Sequence, residues 1–145
     1  MVSDLPAGHE ADLGWLLRGL IEQVPHTRSA VLLSSDGLAT ASYGLGPDPA
    51  DHLSAIASGM FSLARTAAVR FGGSDGVRQV VAELDDALLF VSSAGYGSVL
   101  TVLADRETDA GVLGYEMSQL VKSVRPFLAT PARQSGSGQR TGQVT

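Results

Sequence analysis

The residues in this sequence whose types could support catalysis or ligation are few, and each group also has a plainer structural job. Gly72-Gly73-Ser74-Asp75-Gly76 is glycine-rich enough to cradle a phosphate. It follows a helical stretch rather than a strand and lacks the Gly-Lys-Ser/Thr ending of a phosphate loop, so it reads as a helix stop. Asp105, Glu107 and Asp109, with Glu116 beyond them, imitate the alternate spacing of a calcium loop. The position that such a loop gives to glycine holds Ala110, and the segment follows a strand. Charges for the start of a last helix explain these acids better. Asp85 and Asp86 could act as an acid/base pair, yet they stand in a two-residue hairpin turn, where Asp is common for conformational reasons. His9, His26 and His52 are far apart in sequence and form no His-x-x-x-His pair. No serine sits in a nucleophile-elbow context. The expectation is a protein that is not an enzyme, with no catalytic residue, no metal and no cofactor.

Composition narrows the classes further. The 145 residues suit one domain, and 44% hydrophobic content supplies a real core. A net charge of −5 argues against nucleic acid as a partner. With no cysteine, disulfides, thiolate nucleophiles and zinc knuckles are excluded. The first ten residues lack the layout of a signal peptide, and no apolar run approaches the ~20 residues of a membrane span. A cytoplasmic location without membrane insertion is expected.

The elements that must position any site follow from periodicity. Leu13, Leu16, Leu17, Leu20 and Val24 mark a first helix, closed by Pro25. Residues 29–34 read as a buried strand, Ser35-Asp36-Gly37 as a turn, and 38–43 as a returning strand suited to an edge. A long helix occupies 48–71, with Asp48 as N-cap and Pro49 in its first turn. Strands at 77–84, 87–93 and 98–104 follow, the second of them expected to be central because it is almost continuously apolar. Thr108 is expected to cap a last helix that fails at Pro126. The order is α-β-β-α-β-β-β-α, which gives an α/β three-layer sandwich around one five-stranded, mostly antiparallel sheet. Residues 10–128 form the domain, with a flexible terminus at 1–9 and a disordered tail at 129–145.

The long helix is the unusual element. Leu53, Ile56, Ala57, Met60, Leu63, Ala64, Ala67 and Phe71 give it an apolar face, expected to lie on the sheet. The other face, with Ala55, Ser58, Gly59, Ser62, Thr66 and Val69, is small and uncharged where a surface helix would carry Lys and Glu. A tolerant Ala/Ser-rich surface is the plain reading; a surface covered by another protein is the one adopted here.

Three blocks carry a resemblance: AVLLSSDGLATA at 30–41, VRQVVAELDDALLFVSSAGYGSVLTVLAD at 77–105 and GVLGYEMSQLVKSV at 111–124. In that order they resemble the roadblock/LC7 family, whose fold is profilin-like, and within it the bacterial, actinomycete-type members. The resemblance implies a homodimer in which the third strand pairs with its twin and the long helices lie side by side. It also implies a partner, a Ras-like small GTPase, toward which such a protein acts in a GAP-like or effector/adaptor role. The alternative is an assembly adaptor for a sensor-kinase-like protein without GTPase regulation. The expected dimer or partner interface is Ala55, Ser58, Gly59, Ser62, Arg65, Thr66, Val69, Val77, Gln79 and Val81. Arg65 and Arg70 flank the small face, where one could reach a GTPase phosphate as an arginine finger; a solvated rim arginine is the plain reading.

Overall fold

The computed structural model describes residues 5–144, with side chains described for 13–126 and 128. The expectations for residues 1–9 and 129–145 lie outside these fully described residues. The elements are α1 (Leu5–Gln23), β1 (Thr27–Ser34), β2 (Ala39–Tyr43), α2 (Pro47–Ala67), β3 (Gln79–Glu83), β4 (Ala87–Gly95), β5 (Ser98–Asp105) and α3 (Ala110–Val144). Their order matches the one read from the sequence. The strands form one fully antiparallel sheet, β2-β1-β5-β4-β3, so β5 holds the middle and β4 lies one strand in from the edge. β4, expected to be central and covered on both faces because it is almost continuously apolar, is an inner strand with side chains in both cores. β2 is an edge, as its Ala and Thr content suggested.

Alternation along the inner strands sorts side chains into two cores. Ala30, Leu32, Phe90, Leu100, Val102 and Ala104 face α1 and α3, meeting Leu13, Leu17, Leu20, Leu113, Met117 and Val124. Val31, Leu33, Leu89, Val91 and Val99 face α2, meeting Ala50, Leu53 and Ala57. Each large side chain fully buried in this way contributes about 1.5–3 kcal/mol. Thr101 is the buried polar residue of β5, and its hydroxyl donates to the Phe90 carbonyl at 2.9 Å. That bond meets the requirement that a buried hydroxyl find a partner.

Turn chemistry fixes the registers. Gly37 has φ 91, and Ser34 exchanges backbone bonds with Leu38 and Gly37 around it. The Asp85-Asp86 turn closes with Leu84 N–H donating to the Ala87 carbonyl at 2.8 Å. Gly44 is the tightest glycine: φ is 91, and a Cβ there would stand 2.5 Å from the Arg28 carbonyl oxygen.

The caps differ from those expected. α2 begins at Pro47 with Gly46 as N-cap, and Asp48 sits in the first turn. Asp109, not Thr108, caps α3, because its Oδ1 accepts from the Gly111 and Val112 amides. Thr108 instead donates to the His26 carbonyl at 2.9 Å. α3 also continues past Pro126, its expected stop; Leu128 still packs on the α1/α3 core, and that burial offsets the bond that proline cannot make.

Two substitutions test this packing. Phe90→Ala should lower the unfolding free energy by about 3–5 kcal/mol in a urea titration. Gly44→Ala should lose about 1–3 kcal/mol through strain alone, read in the same titration.

Candidate interaction surface

α2 lies on the sheet through Ala50, Leu53, Ser54 and Ala57, continued by half-buried Met60, Phe61 and Ala64. This stripe is rotated from the one expected. Ile56, Leu63 and Phe71, read as core, point to solvent at 53%, 74% and 86% exposure, while Ser54 lies fully buried beneath the helix. The reason is that apolar residues occupy both sides of a helix with almost no charge, so the period alone admits two solutions. Ala50, Ser54 and Ala57 share the inner side with Leu53, Met60 and Phe61.

Rotation changes the outer face from merely small to apolar. Ala55, Gly59, Ser62, Arg65, Thr66 and Val69 are exposed there, as expected, together with Ile56 and Leu63. Ser58 departs from expectation: it is half-buried, and its hydroxyl donates to the Ser35 carbonyl at 2.8 Å, tying α2 to the β1–β2 turn. The helix ends in a π turn, Ala68–Gly72, terminated by Gly73 at φ 86. Ser62, Arg65, Thr66, Val69 and Arg70 line one open depression of about 380 Å³ at that end. Arg65 is engaged by Asp75, Nη2 to Oδ2 3.4 Å, and both side chains are exposed. Arg70 makes no ion pair among the described residues.

The second half of the predicted interface is β3. It pairs only with β4, so its outer backbone edge has no strand partner among the described residues. Val80 and Ala82 turn inward beneath α2, whereas Gln79 and Val81 are exposed and Val77, just before the strand, is half-buried. Leu84, at 49% exposure, extends the apolar edge. Val81 stands opposite Phe90, so its side chain turns to the α1/α3 side of the sheet rather than toward α2.

The remaining chemistry dissolves into structure or proximity. Asp86 offers its carbonyl to Arg28 at 3.0 Å. In the glycine loop, Ser74 Oγ accepts from the Gly76 amide. Arg18 donates to Glu22 at 2.8 Å; that hydrogen bond and the carboxylate charge raise the arginine pKa, keeping it ionised. The fold does bring His26, Asp105 and Glu107 together, their ligand atoms within 4.8 Å of one another. No local spacing announced this cluster, because His26 meets 105 only across the sheet end, where its carbonyl accepts from the Asp105 amide. Asp105 is already paired with Arg28, which supplies the positive charge that a cation would bring. No described helix is long and apolar enough to cross a membrane.

Comparison with known proteins adds the following. Residues 13–104 match the family model described as the Roadblock/LC7 domain. A Roadblock/LC7 domain from Streptomyces avermitilis is 64% identical, over 79% of this chain and 96% of that one, with a TM-score of 0.77. An MglB solved in a tetrameric arrangement is 16% identical, over 84% and 91%, with a TM-score of 0.77. The gliding protein MglB from Thermus thermophilus is 17% identical, over 87% and 93%, with a TM-score of 0.74. At that identity the two MglB structures show a shared fold. No curated protein matches the chain.

Gly59 tests whether the outer face of α2 is bare in the isolated chain. A Cβ there meets nothing within 4 Å. Gly59→Ala should therefore stabilise the monomer by about 0.5–1 kcal/mol, measured by denaturant titration at a concentration low enough to exclude self-association.

Proposed function

The chain belongs to the Roadblock/LC7 domain family, and from that premise we propose that it is a non-catalytic regulatory or scaffold module. It works as a homodimer and binds a Ras-like small GTPase in a bacterial signalling complex. The observation that supports this most directly is the apolar, uncharged outer face of α2, with Ile56, Leu63 and Val69 in water, together with the open edge of β3.

Physical reasoning connects the two. An open edge bearing exposed Val81 and Leu84 is a pairing hazard unless something covers it. A twin copy covers it isologously, the same patch serving both sides. Pairing at β3 extends one sheet across the two-fold axis and sets two α2 helices next to each other. The resulting platform is apolar, with Phe71 and the arginines at its end, the composition enriched at protein interfaces. Desolvating it costs little, because no charge lies in its middle.

In this reading Arg70 is the better placed of the two arginines to meet a GTPase phosphate. It makes no ion pair among the described residues, whereas Arg65 is held by Asp75. Whether the platform speeds hydrolysis or only holds the GTPase in place decides between the GAP-like and adaptor roles. The same surface would serve an adaptor for a sensor-kinase-like protein, in which case GTPase binding is absent.

Light scattering on the purified chain should give the mass of a dimer. Val81→Lys, on an exposed strand position, should give a monomer with an unchanged far-UV CD spectrum. A monomeric wild type would overturn the homodimer. Titration with a Ras-like GTPase loaded with GDP or GTP should show binding in at least one state. Leu63→Asp should weaken it by about tenfold or more, and no binding in either state would leave the adaptor reading.

A further inference from the structure

Across the sheet from α2, a groove of about 410 Å³ runs between the start of β3, the end of β4 and α3. Its walls carry Arg78, Lys122 and Arg125, with Ser92, Ser93 and Ser118 between them, and no acidic side chain. The chain as a whole is acidic, at −5, so three cations together with no acid are a local reversal. None of the three makes an ion pair among the described residues, although Arg18, Arg28, Arg65 and Arg106 all do.

Ser92 supplies a second, independent observation. It is 8% exposed, and its hydroxyl has no hydrogen-bond partner among the described residues. Ser29 and Ser54 carry hydroxyls in the same condition, so the hydroxyl alone decides nothing. Ser92 differs in that it stands in the wall of a groove beside three unpaired cations. Its oxygen is closed off from solvent, so an anion would reach it only if the groove wall shifts, and the bond then made would recover the free energy that a buried donor without an acceptor costs.

One cation reaches across to the end of β4. Arg125 lies against Gly95, its Nε 3.2 Å from where a Cβ would stand. Ser118, Lys122 and Arg125 recur at helical spacing on one side of α3, so they project together toward β4.

We propose that this groove is a binding site for the phosphate group of a small phosphorylated molecule. The two guanidinium groups present planar pairs of donors, Lys122 adds a mobile point charge, and the Ser92 hydroxyl, enclosed in the free chain, donates once the wall parts. The volume lies within the range of small-ligand sites and exceeds what a single phosphate fills, leaving room for the rest of the molecule. The proposal does not rest on the GTPase reading; Val77 borders both this groove and the β3 edge, so a twin paired at that edge would stand beside the site.

Isothermal titration of the full chain at low salt, with inorganic phosphate, pyrophosphate and adenosine monophosphate as separate probes, tests it. Saturable binding at one site per chain is expected for at least one probe, weakening as salt is added. Lys122→Ala and Arg125→Ala should each raise its Kd by about tenfold, while Arg18→Ala, a charge-matched change on α1, leaves it unchanged. Ser92→Ala should also weaken binding without lowering the melting temperature, because the free chain loses only an unpartnered hydroxyl. Tighter binding of the nucleotide would identify a nucleotide ligand; tighter binding of pyrophosphate would identify a bare polyphosphate. No saturable binding of any probe, or equal weakening by Arg18→Ala, would overturn the proposal.

Discussion

The antiparallel ladder joining β1, β5 and β4 is the constraint on which everything else rests. These strands are covered on both faces, so nearly every position in them must be apolar or, like Thr101, internally hydrogen-bonded. That demand exhausts the hydrophobic strands on the middle of the sheet. β2 and β3 are left for the edges, where alternate residues look outward. The two helical layers then take up fixed places, α1 and α3 on one side and α2 alone on the other.

The asymmetry has a functional reading. Two helices share one face, and each shields part of the other. On the opposite face a single helix must cover the sheet unaided, and its far side has no neighbour among the described residues. In most proteins that far side would be charged. Here it carries Ile56, Leu63 and Val69, side chains whose exposure has a cost that a partner surface removes. Family membership and the bare face point the same way, but they are independent. The first comes from matched residues, the second from where the fold leaves those residues.

Much of this was legible in the sequence. Element order, the hairpin turns and the edge position of β2 followed from period, turn residues and strand composition, while the open edge of β3 followed from the resemblance. What failed were decisions between equivalent alternatives. Gly46 and Asp48 both suit a helix start, as do Thr108 and Asp109, and only the hydrogen bonds distinguish them. The inner face of α2 was half right: Leu53, Ala57, Met60 and Ala64 are buried or half-buried as read, while Ile56, Leu63, Ala67 and Phe71 are exposed, because no charge marks the outside of the helix. The meeting of His26 with Asp105, and the shared groove of Ser92 and Arg125, could not be read locally, because each depends on long-range packing.

The π turn that ends α2 has a consequence of its own. A turn that closes its hydrogen bonds one residue later than its neighbours inserts a phase slip, much as a leap day realigns a calendar. Residues before Ala68 are held in step with the sheet, while Val69, Arg70 and Phe71 are aimed by the slip. The tip of the helix is thereby uncoupled from the stripe that anchors it. A change of side chain at Val69, Arg70 or Phe71 therefore leaves the anchoring contacts beneath as they are, because none of the three takes part in them.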